Sequence, residues 1–274
     1  MVKRANKLKL AFIGGGIMGE AMIGGVMRNG LTSADAIIAS DPDAQRRAWL
    51  QEKYHVTSTG DNREALSRAD VVVLAIKPQN IPEVSKELKG LLSSEQLVLS
   101  IAAGVKMATL SQGLNHDTLV RAMPNTPGRI GQGITVWTAT QKTSELQRER
   151  ARSILTALGE EVYVEDEKYL DMATALSASG PGFIAMIIES LIEGGISIGL
   201  PREMTRRLVL KTIVGSCYLL QELEKHPAEL RDMVTSPGGT TTEGVLVLEE
   251  KGVRAALIQA IRATYEKARV LGSE

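Results

Sequence analysis

The stretch Leu8-Lys9-Leu10-Ala11-Phe12-Ile13-Gly14-Gly15-Gly16-Ile17-Met18-Gly19 decides the fold of the first half of the chain. Its apolar start predicts a strand, and the residues from Glu20 to about Arg28 predict a helix. Glycines spaced G-x-G-x-x-G between a strand and a helix favour a dinucleotide-binding turn, because they permit a tight turn and the close approach of a pyrophosphate. A glycine-rich turn that only packs helix on strand is the alternative. The predicted cofactor-binding residues here are Gly14, Gly16, Ile17, Met18 and Gly19.

An acidic residue follows the second predicted strand, which covers residues 36–40. Ser40 ends that strand, and Asp41 then occupies the position that reads the adenosine ribose in dinucleotide-binding folds. A carboxylate there accepts hydrogen bonds from the 2′-hydroxyl of NAD and repels the 2′-phosphate of NADP. Arg46 and Arg47 lie one turn further on, where they either pair with such a phosphate or form a solvated helix face. The pattern leans towards NADH and leaves NADPH open.

Strands and helices alternate along the first 165 residues. Continuous apolar runs at 71–76 and 97–101 are typical of strands that are covered on both faces. This alternation predicts a parallel, doubly wound sheet of the Rossmann type. Strand signals stop after Glu165, and the later segments read as helices. We therefore expect an α/β protein with a dinucleotide-binding Rossmann domain at 1–165 and an all-helical domain at 166–274, for which the features described below indicate substrate binding and dimerisation.

The ends of the other strands carry further candidate residues. In a parallel sheet the carboxyl ends of the strands meet at one edge, where ligands bind. Ala75 and Lys77 follow one buried strand, and Ala102-Ala103-Gly104 follows the next. The stretch 121–127 follows another, and its two prolines make a stiff loop that suits either the edge of a nicotinamide or a rigid crossover between domains. We expect these positions and Ser40 to line the cofactor site.

A second candidate site lies in the helical domain, in the stretch Thr235-Ser236-Pro237-Gly238-Gly239-Thr240-Thr241-Thr242-Glu243. The proline and the two glycines allow a tight turn. Thr240 and Glu243 have the spacing of a capping box, which predicts a helix that begins here and ends near Gly252. The unpaired N–H groups at the start of such a helix suit a carboxylate or a phosphate. An ordinary capped turn explains the local pattern equally well.

The helix predicted over residues 181–198 is apolar on almost every side. Only Glu189, Glu193 and small residues interrupt it. A helix of this kind has to be buried, and the helical domain is too small to hide it easily. We therefore expect a partner subunit to cover it, with a central helix in a monomer core as the alternative.

Composition weighs against several other classes of protein. The 274 residues carry 32 basic and 32 acidic side chains, and aromatic residues make up 3%, so neither charge nor stacking surfaces indicate nucleic acid. The single cysteine, Cys217, excludes an internal disulfide, and the histidines lack metal-ligand spacing. No uninterrupted apolar run approaches about 18 residues, and the basic N-terminus leads into a glycine turn without a convincing cleavage site. We expect a cytoplasmic protein without a metal, a membrane span or a nucleic-acid partner.

The chain resembles the Δ1-pyrroline-5-carboxylate reductase family over nearly its whole length. The most specific part of the resemblance is the stretch Asp232-Met233-Val234-Thr235-Ser236-Pro237-Gly238-Gly239-Thr240-Thr241. Supporting motifs lie at residues 12–19, 75–78, 100–105, 121–127 and 199–202. The resemblance implies a Rossmann domain followed by a helical dimerisation domain, in a homodimer or a larger homo-oligomer. It also implies the reduction of the C=N bond of 1-pyrroline-5-carboxylate by NADPH or NADH to give L-proline, the last step of proline synthesis.

The resemblance also implies roles for single residues. The loop in the helical domain holds the substrate carboxylate, and Thr241 hydrogen-bonds the ring nitrogen, which makes it the candidate catalytic residue. Asn62 and Lys77 lie near the cofactor, and Met123 and Asn125 lie near its nicotinamide end. The implied substrate-binding residues are Ser236, Gly238, Gly239, Thr240 and Thr241.

Two other functions stay open at this point. One is a reductase of another small substrate, such as a different cyclic imine. The other is a regulatory NAD(P)-binding paralogue without turnover, although such a protein has no need of the intact loop at 236–241.

Overall fold

The computed structural model describes residues 7–67 and 69–271, and a mixed eight-stranded sheet fills its first half. The strands lie in the order β3-β2-β1-β4-β5-β6-β7-β8. Every neighbouring pair is parallel except β6 and β7, which are antiparallel. The strands are β1 Leu10–Ile13, β2 Ile37–Ser40, β3 Thr57–Thr59, β4 Val71–Leu74, β5 Leu97–Ser100, β6 Leu119–Met123, β7 Gly133–Ala139 and β8 Gly159–Tyr163.

The strand order reverses beside β1, which is the switch point of a doubly wound sheet. Ile13 at the end of β1 lies opposite both Ser40 and Leu74, and Leu74 lies opposite Ser100. Four strands therefore end side by side at one edge. A crevice outside the carboxyl ends of the strands at such a point is where ligands bind in this architecture.

Helices cover both faces of the sheet because side chains alternate along its strands. In β1, Leu10 and Phe12 belong to one core cluster and Ala11 and Ile13 to the other. The helices of this half are α1 Ile17–Arg28, α2 Ala44–Tyr54, α3 Asn62–Leu66, α4 Ile81–Leu88, α5 Met107–Leu114, α6 Glu145–Thr156 and α7 Lys168–Ala173, with 3-10 turns at Ala34–Ala36, Pro78–Asn80 and Thr126–Ile130.

The fold class predicted from the sequence is confirmed, with three local corrections. The connection from β6 to β7 holds only a 3-10 turn, which is too short for the crossover that a parallel pair needs, so β7 runs antiparallel. A glycine that follows a helix is typical of a C-terminal cap, but Gly159 after α6 instead begins β8, with φ at +135°. Helix α5 was not predicted, because Ser111 and Gly113 weaken its apolar pattern.

The second half of the chain is helical. A π-helical turn, Thr174–Ala178, follows α7, and the remaining helices are α8 Gly180–Ser197, α9 Arg202–Leu223, α10 Pro227–Met233, α11 Thr240–Glu250 and α12 Val253–Leu271. Helix α10 was not predicted, although Pro227 at its first position and Glu229 two residues later are start signals. Its cap is the ring of His226, which accepts a hydrogen bond from the N–H of Ala228.

By compactness the described chain divides into two units, residues up to Ser179 together with those from Thr264, and Gly180–Ala263. The second unit holds a helical hairpin of α8 and α9. A Cβ on Gly195 would lie 2.4 Å from Cγ2 of Thr205, which is 2% exposed, so a glycine is required where these helices approach. The domain boundary at 165/166 was expected where strand signals stop, and it remains a prediction.

Most large apolar side chains of the second unit are exposed in the single chain. None of the residues of α8 is buried, and Met186 and Leu191 are more than half exposed. Cys217 on α9 is exposed as well. The continuous helical stretch Lys168–Ser197 is long and apolar enough to cross a membrane by length and composition alone, with 6% of its most apolar window buried. Apolar helix surfaces of this extent indicate a partner or another apolar environment.

Candidate active site

The glycine-rich turn joins β1 to α1 at the switch point of the sheet. Gly14 has φ at +100°, and its N–H donates to the carbonyl oxygen of Ser40 over 2.8 Å. A Cβ on Gly14 would lie 2.6 Å from the carbonyl oxygen of Ala75, and one on Gly19 would lie 2.3 Å from that of Gly14. These two glycines are therefore required by the close approach of β1, β4 and α1.

Gly16 differs from its neighbours because it faces open space. It is the N-cap of α1, its φ is −61°, and a Cβ there would meet nothing within 4 Å. No side chain caps the helix, so the first-turn N–H groups, those of Ile17, Met18 and Gly19, point to a space that an anion can enter. The open face over Gly16 fits the pyrophosphate of a dinucleotide.

Asp41 lies beside this turn. One oxygen of its carboxylate accepts the N–H of Gly15 over 2.9 Å, and the other accepts the N–H of Asp43 over 2.9 Å. Two backbone donors therefore fix the carboxylate at the end of β2. Each oxygen keeps acceptor capacity, so the side chain can still accept a hydrogen bond from a ribose hydroxyl.

Glu20 on α1 was not a predicted site residue, and it lies against the same turn. Its carboxylate accepts hydrogen bonds from Arg46 and, over 2.8 Å, from Lys53. Trp49 and Tyr54 donate to it over 3.3 and 3.1 Å. Arg46, Trp49 and Lys53 are spaced i, i+3 and i+7 on α2, which is the one sequence signal that these donors share a face.

Glu20 stays ionised over almost the whole pH range. Its side chain is 13% exposed, and burial alone raises the pKa of a carboxyl group. The hydrogen bonds from Lys53, Arg46 and Trp49 together outweigh that effect and lower the pKa of Glu20 from 4.5 to about 2. The pair of Glu20 and Arg46 is therefore a charged one at any working pH.

The two arginines of α2 differ in what holds them. Besides Glu20, the guanidinium of Arg46 donates to the carbonyl oxygen of Gly15, and to that of Gly16 over 3.4 Å. Arg47 donates to the carbonyl oxygens of Asp41 and Pro42 over 2.7 and 2.9 Å. Arg46 thus belongs to the glycine-rich turn, and Arg47 to the end of β2.

The other predicted strand-end residues lie along the same edge of the sheet. The N–H of Ala75 donates to Ile13 over 2.8 Å, which continues the ladder between β4 and β1. Lys77 is exposed at the start of the 3-10 turn after β4. After β5, Ala102 is buried and Gly104 has φ at +76°, with Ala103 between them.

Asn62 connects β2 to the helices behind it. The hydroxyl of Ser40 donates to Oδ1 of Asn62 over 2.7 Å, and Nδ2 of Asn62 donates to Glu87 over 2.7 Å. The side chains of Ser40 and Asn62 are thus occupied by each other, and Glu87 was not expected to take part.

Met123 and Asn125 lie at the turn between β6 and β7. Met123 is half-buried at the end of β6, opposite Val136. Oδ1 of Asn125 accepts the N–H of Ile134 over 2.9 Å, and its Nδ2 donates to the carbonyl oxygen of Ser177 over 3.3 Å. Ser177 belongs to the π-helical turn, so Asn125 joins this turn to the 121–127 loop.

Arg121 carries a buried ion-pair cluster that sequence reasoning missed. Its guanidinium, 2% exposed, donates to Glu167 over 2.8 Å and to Asp171 over 2.7 Å. Glu167 also accepts the N–H of Met107 over 2.8 Å. The cluster fixes α7 and the start of α5 to β6, and each partner is too distant in sequence for a local pattern to predict it.

The predicted substrate loop lies in the second unit and leads into α11. The N–H of Gly239 donates to the carbonyl oxygen of Ser236 over 2.9 Å, and Gly238 has φ at +70°. A Cβ on Gly239 would lie 2.5 Å from Oγ of Ser236. The hydroxyl of Thr242 donates to the carbonyl oxygen of Ser236 over 2.6 Å. This hydrogen bond holds the turn against the first turn of the helix.

The helix start predicted here is correct, but the capping box is wrong. Gly239 is the N-cap and no side chain caps α11, because the turn at Ser236 places the N-cap one residue before Thr240, which is itself the first helical residue. The side chains of Thr240 and Thr241 are exposed, and α11 ends at Glu250 before Gly252, which has φ at +70°. The uncapped N–H groups of this start are available to an anion.

The structure gathers the predicted cofactor residues of the first unit at one edge of its sheet, and it places the predicted substrate residues together in the second unit. Within residues 7–67 and 69–271, no group of three or more His, Cys, Asp or Glu side chains is arranged to hold a metal ion. The ligand contacts of all these residues remain predictions.

Comparison with known proteins assigns the chain to a family. Residues 167–271 match the profile described as pyrroline-5-carboxylate reductase dimerisation, and residues 9–104 match that of coenzyme F420-dependent NADP oxidoreductases. A pyrroline-5-carboxylate reductase of Synechocystis sp. is 40% identical over 267 residues, which cover 97% of this chain and 99% of the relative. This chain belongs to the pyrroline-5-carboxylate reductase family.

Solved structures of the family have the same fold. A pyrroline-5-carboxylate reductase from Coxiella burnetii superposes with a TM-score of 0.88 at 36% identity, covering 97% of this chain and 99% of that one. The pyrroline carboxylate reductase of Plasmodium falciparum, solved with NADP bound, gives a TM-score of 0.89 at 29% identity, covering 97% and 98% of the two chains.

Proposed function

We propose that this chain is a pyrroline-5-carboxylate reductase, which reduces the C=N bond of 1-pyrroline-5-carboxylate with NADPH or NADH and forms L-proline. The similarity of 40% identity across 97% of the chain and 99% of the Synechocystis relative is the observation that carries the proposal. A non-catalytic paralogue has no need of an intact Ser236–Thr241 loop. The family assignment and this loop together favour an active enzyme.

The first unit supplies the cofactor site. Gly16 and the uncapped first turn of α1 offer an open, donor-rich face to a pyrophosphate. Asp41 faces the ribose, and the ends of β4, β5 and β6 line the edge beyond. When bound, the reduced nicotinamide supplies the hydride. The proposed cofactor residues are those of the glycine turn with Ser40, Asn62, Ala75, Lys77, Ala102, Ala103, Gly104, Met123 and Asn125.

The loop of the second unit supplies the substrate site. The turn from Ser236 to Gly239 and the uncapped start of α11 offer N–H groups to the substrate carboxylate. The exposed hydroxyl of Thr241 hydrogen-bonds the ring nitrogen. The hydride adds to the ring carbon, the C=N double bond becomes a single bond, and a nitrogen that binds already protonated ends as the amine without a proton donor. The chain contributes mainly by positioning the ring.

A second copy of the chain covers the apolar helices. The exposed Met186 and Leu191 of α8, and the match of residues 167–271 to a dimerisation domain, support a homodimer or a larger homo-oligomer. We place substrate binding and dimerisation in residues 166–274 and cofactor binding in residues 1–165. A subunit interface also accounts for the apolar stretch Lys168–Ser197 without a membrane, and we propose a cytoplasmic enzyme without a nucleic-acid partner.

A coupled pair of measurements tests this function. Purified protein with 1-pyrroline-5-carboxylate should oxidise NADH, NADPH or both, seen as loss of the absorbance of the reduced nicotinamide, with L-proline formed in equal amount. Cofactor binding is titrated separately by nicotinamide fluorescence. Binding of the cofactor without any proline formation contradicts the proposal, and a six-membered cyclic imine reduced faster than the five-membered one would reassign the substrate.

A further inference from the structure

The charges around Glu20 bear on the choice between NADH and NADPH. One carboxylate oxygen of Glu20 accepts a hydrogen bond from Arg46. The other accepts hydrogen bonds from Lys53, Trp49 and Tyr54. All four donors come from α2, the helix that follows the ribose-reading Asp41. Glu20 itself comes from α1, immediately after the glycine-rich turn. This contact therefore joins the two helices on either side of the expected adenosine ribose.

Arg46 lies close to where that ribose is expected. A Cβ on Gly15 would lie 3.4 Å from Oδ2 of Asp41 and 3.7 Å from Cγ of Arg46, so both side chains flank the same glycine. The Arg46 side chain is 24% exposed and that of Glu20 13%. A guanidinium here is a suitable partner for a 2′-phosphate, but Nε and Nη2 of Arg46 already donate to two carbonyl oxygens of the turn and to Glu20.

Ion pairing with Glu20 compensates the charge of Arg46. The carboxylate stays ionised at working pH because hydrogen bonds hold its pKa near 2. A phosphate that approached Arg46 would have to compete with a partly buried carboxylate, and it would also meet the charges of Glu20 and Asp41. Like charges beside a binding site raise the free-energy cost of binding a further anion.

We infer that Glu20 is a positioning residue for cofactor choice: by holding Arg46 against the glycine-rich turn it withholds this guanidinium from a 2′-phosphate and favours NADH. The inference rests on the proposed function of the first unit as a cofactor site. It gives Glu20 no contact with the cofactor. Its effect passes through Arg46, and Asp41 adds to it independently.

Glu20→Gln is the direct test. The amide keeps the shape of the side chain and removes its charge, so the charge of Arg46 is no longer compensated and can attract a phosphate. The ratio of kcat/KM for NADPH to that for NADH should rise about fivefold, the size of one charge-assisted contact at a partly solvated site. The gain should lie in the KM for NADPH rather than in kcat, and it should shrink at high salt.

Glu161→Gln is the matched control. Glu161 on β8 also pairs with an arginine, Arg152 over 3.4 Å, and accepts the indole N–H of Trp137. It lies on the edge strand, five strands away from β1. Its substitution should leave the cofactor ratio unchanged.

Arg46→Met makes the test independent of any loss of stability in the Glu20 variant. Alone it should leave the ratio within about twofold of wild type, because the guanidinium is already taken up. Combined with Glu20→Gln it should abolish the gain. Three outcomes would each overturn the inference. The cofactor ratio could stay unchanged in Glu20→Gln, or its rise could persist in the double variant. The third outcome is a severalfold loss of kcat/KM for NADPH in Arg46→Met alone.

Nicotinamide fluorescence gives the Kd values for NADPH and NADH without the imine, and their ratio is a second measure of the cofactor preference. Failure of the proposed function would appear as absent turnover with both cofactors, while the Kd ratios still report on Glu20. Turnover with a Kd ratio that does not respond to Glu20→Gln would overturn the inference and leave the function intact.

Discussion

Two alanine substitutions in the glycine-rich turn should separate folding from cofactor binding. Gly14 has φ at +100°, and its Cβ would lie 2.6 Å from the carbonyl oxygen of Ala75. Gly16 has φ at −61°, and its Cβ would meet nothing within 4 Å. The fold therefore requires the first glycine, whereas the second is free to change unless a ligand occupies the space in front of it.

The structure sets the size of each effect. For Gly14→Ala the left-handed backbone costs about 1–2 kcal/mol, and overlap with a backbone oxygen in a packed sheet adds about 1–3 kcal/mol. We expect the free energy of unfolding to fall by about 3 kcal/mol in total. For Gly16→Ala the smaller entropy of the unfolded chain and the poorer N-cap nearly cancel, which leaves a change below about 1 kcal/mol.

Cofactor affinity should follow the opposite order. The methyl group of Gly16→Ala projects into the space where the pyrophosphate meets the first turn of α1, so the Kd for NADH and for NADPH should rise at least about tenfold. Urea unfolding and nicotinamide fluorescence titration measure the two quantities on the same preparation. Gly30→Ala is the control, because Gly30 follows the other end of α1 with φ at +66° and nothing within 4 Å; it should lose stability only.

Wild-type affinity in Gly16→Ala would refute the assignment of the open face to the pyrophosphate. A loss of stability in Gly16→Ala as large as in Gly14→Ala would refute the account of the turn itself. Intact stability in Gly14→Ala would do the same, since neither its backbone angle nor its contact with Ala75 would then matter.

Four further predictions concern Asp41, Thr241, Arg121 and Glu20. Asp41→Ser should raise the ratio of NADPH to NADH use about tenfold, because a charge beside the 2′-position is removed; an unchanged ratio in steady-state assays would take Asp41 out of the ribose site. Thr241→Ala should lower kcat/KM for the imine about 10- to 100-fold and leave cofactor Kd intact, whereas wild-type kinetics would remove its role at the ring nitrogen. Arg121→Met should cost about 3 kcal/mol of unfolding free energy, since two carboxylates lose their partner, while Lys142→Met, at a pair exposed on both sides, should cost little in the same urea titration. The pKa of Glu20 is about 2 in the folded chain and 4.5 ordinarily, so the stability that this group contributes is complete above pH 4.5 and is lost as the pH falls towards 2. Urea midpoints should therefore fall less steeply with decreasing pH in Glu20→Gln than in the wild type. Parallel curves for the two proteins would contradict this prediction.

The sequence predicted the parts of the fold that depend on short-range patterns. The apolar runs of β4 and β5 and the turn after β1 are local signals, and the sheet that they imply is present. Helix α5 and the direction of β7 were not predicted. Helix α5 has only two buried apolar side chains, Leu110 and Leu114, one turn apart. The direction of β7 depends on the length of a connection rather than on the strand itself.

The sequence indicates the candidate site residues but not their hydrogen-bond partners. Asp41 and the glycines of the turn belong to a motif with fixed spacing, and they lie together at the switch point as that motif requires. Asn125 shows the limit of such reasoning. A match of motifs associated it with the nicotinamide, while the structure gives both ends of its amide backbone partners, Ile134 and Ser177. Ser177 becomes a partner only through a π-helical turn that no local pattern predicts.

The preference for NADH or NADPH depends on the balance of charges around the ribose site, and the glycine-rich motif alone does not determine that balance. The carboxylate of Asp41 is the only part that the fingerprint predicts, and it favours NADH. Arg46, five residues further along the chain, would oppose this preference if its charge were uncompensated, but it forms an ion pair with Glu20 of the neighbouring helix. Arg47 donates instead to the carbonyl oxygens of Asp41 and Pro42 at the end of β2, beside the proposed ribose site. We therefore expect these two adjacent arginines to act differently on a 2′-phosphate, because only Arg46 is paired with Glu20, which lies 26 residues before it.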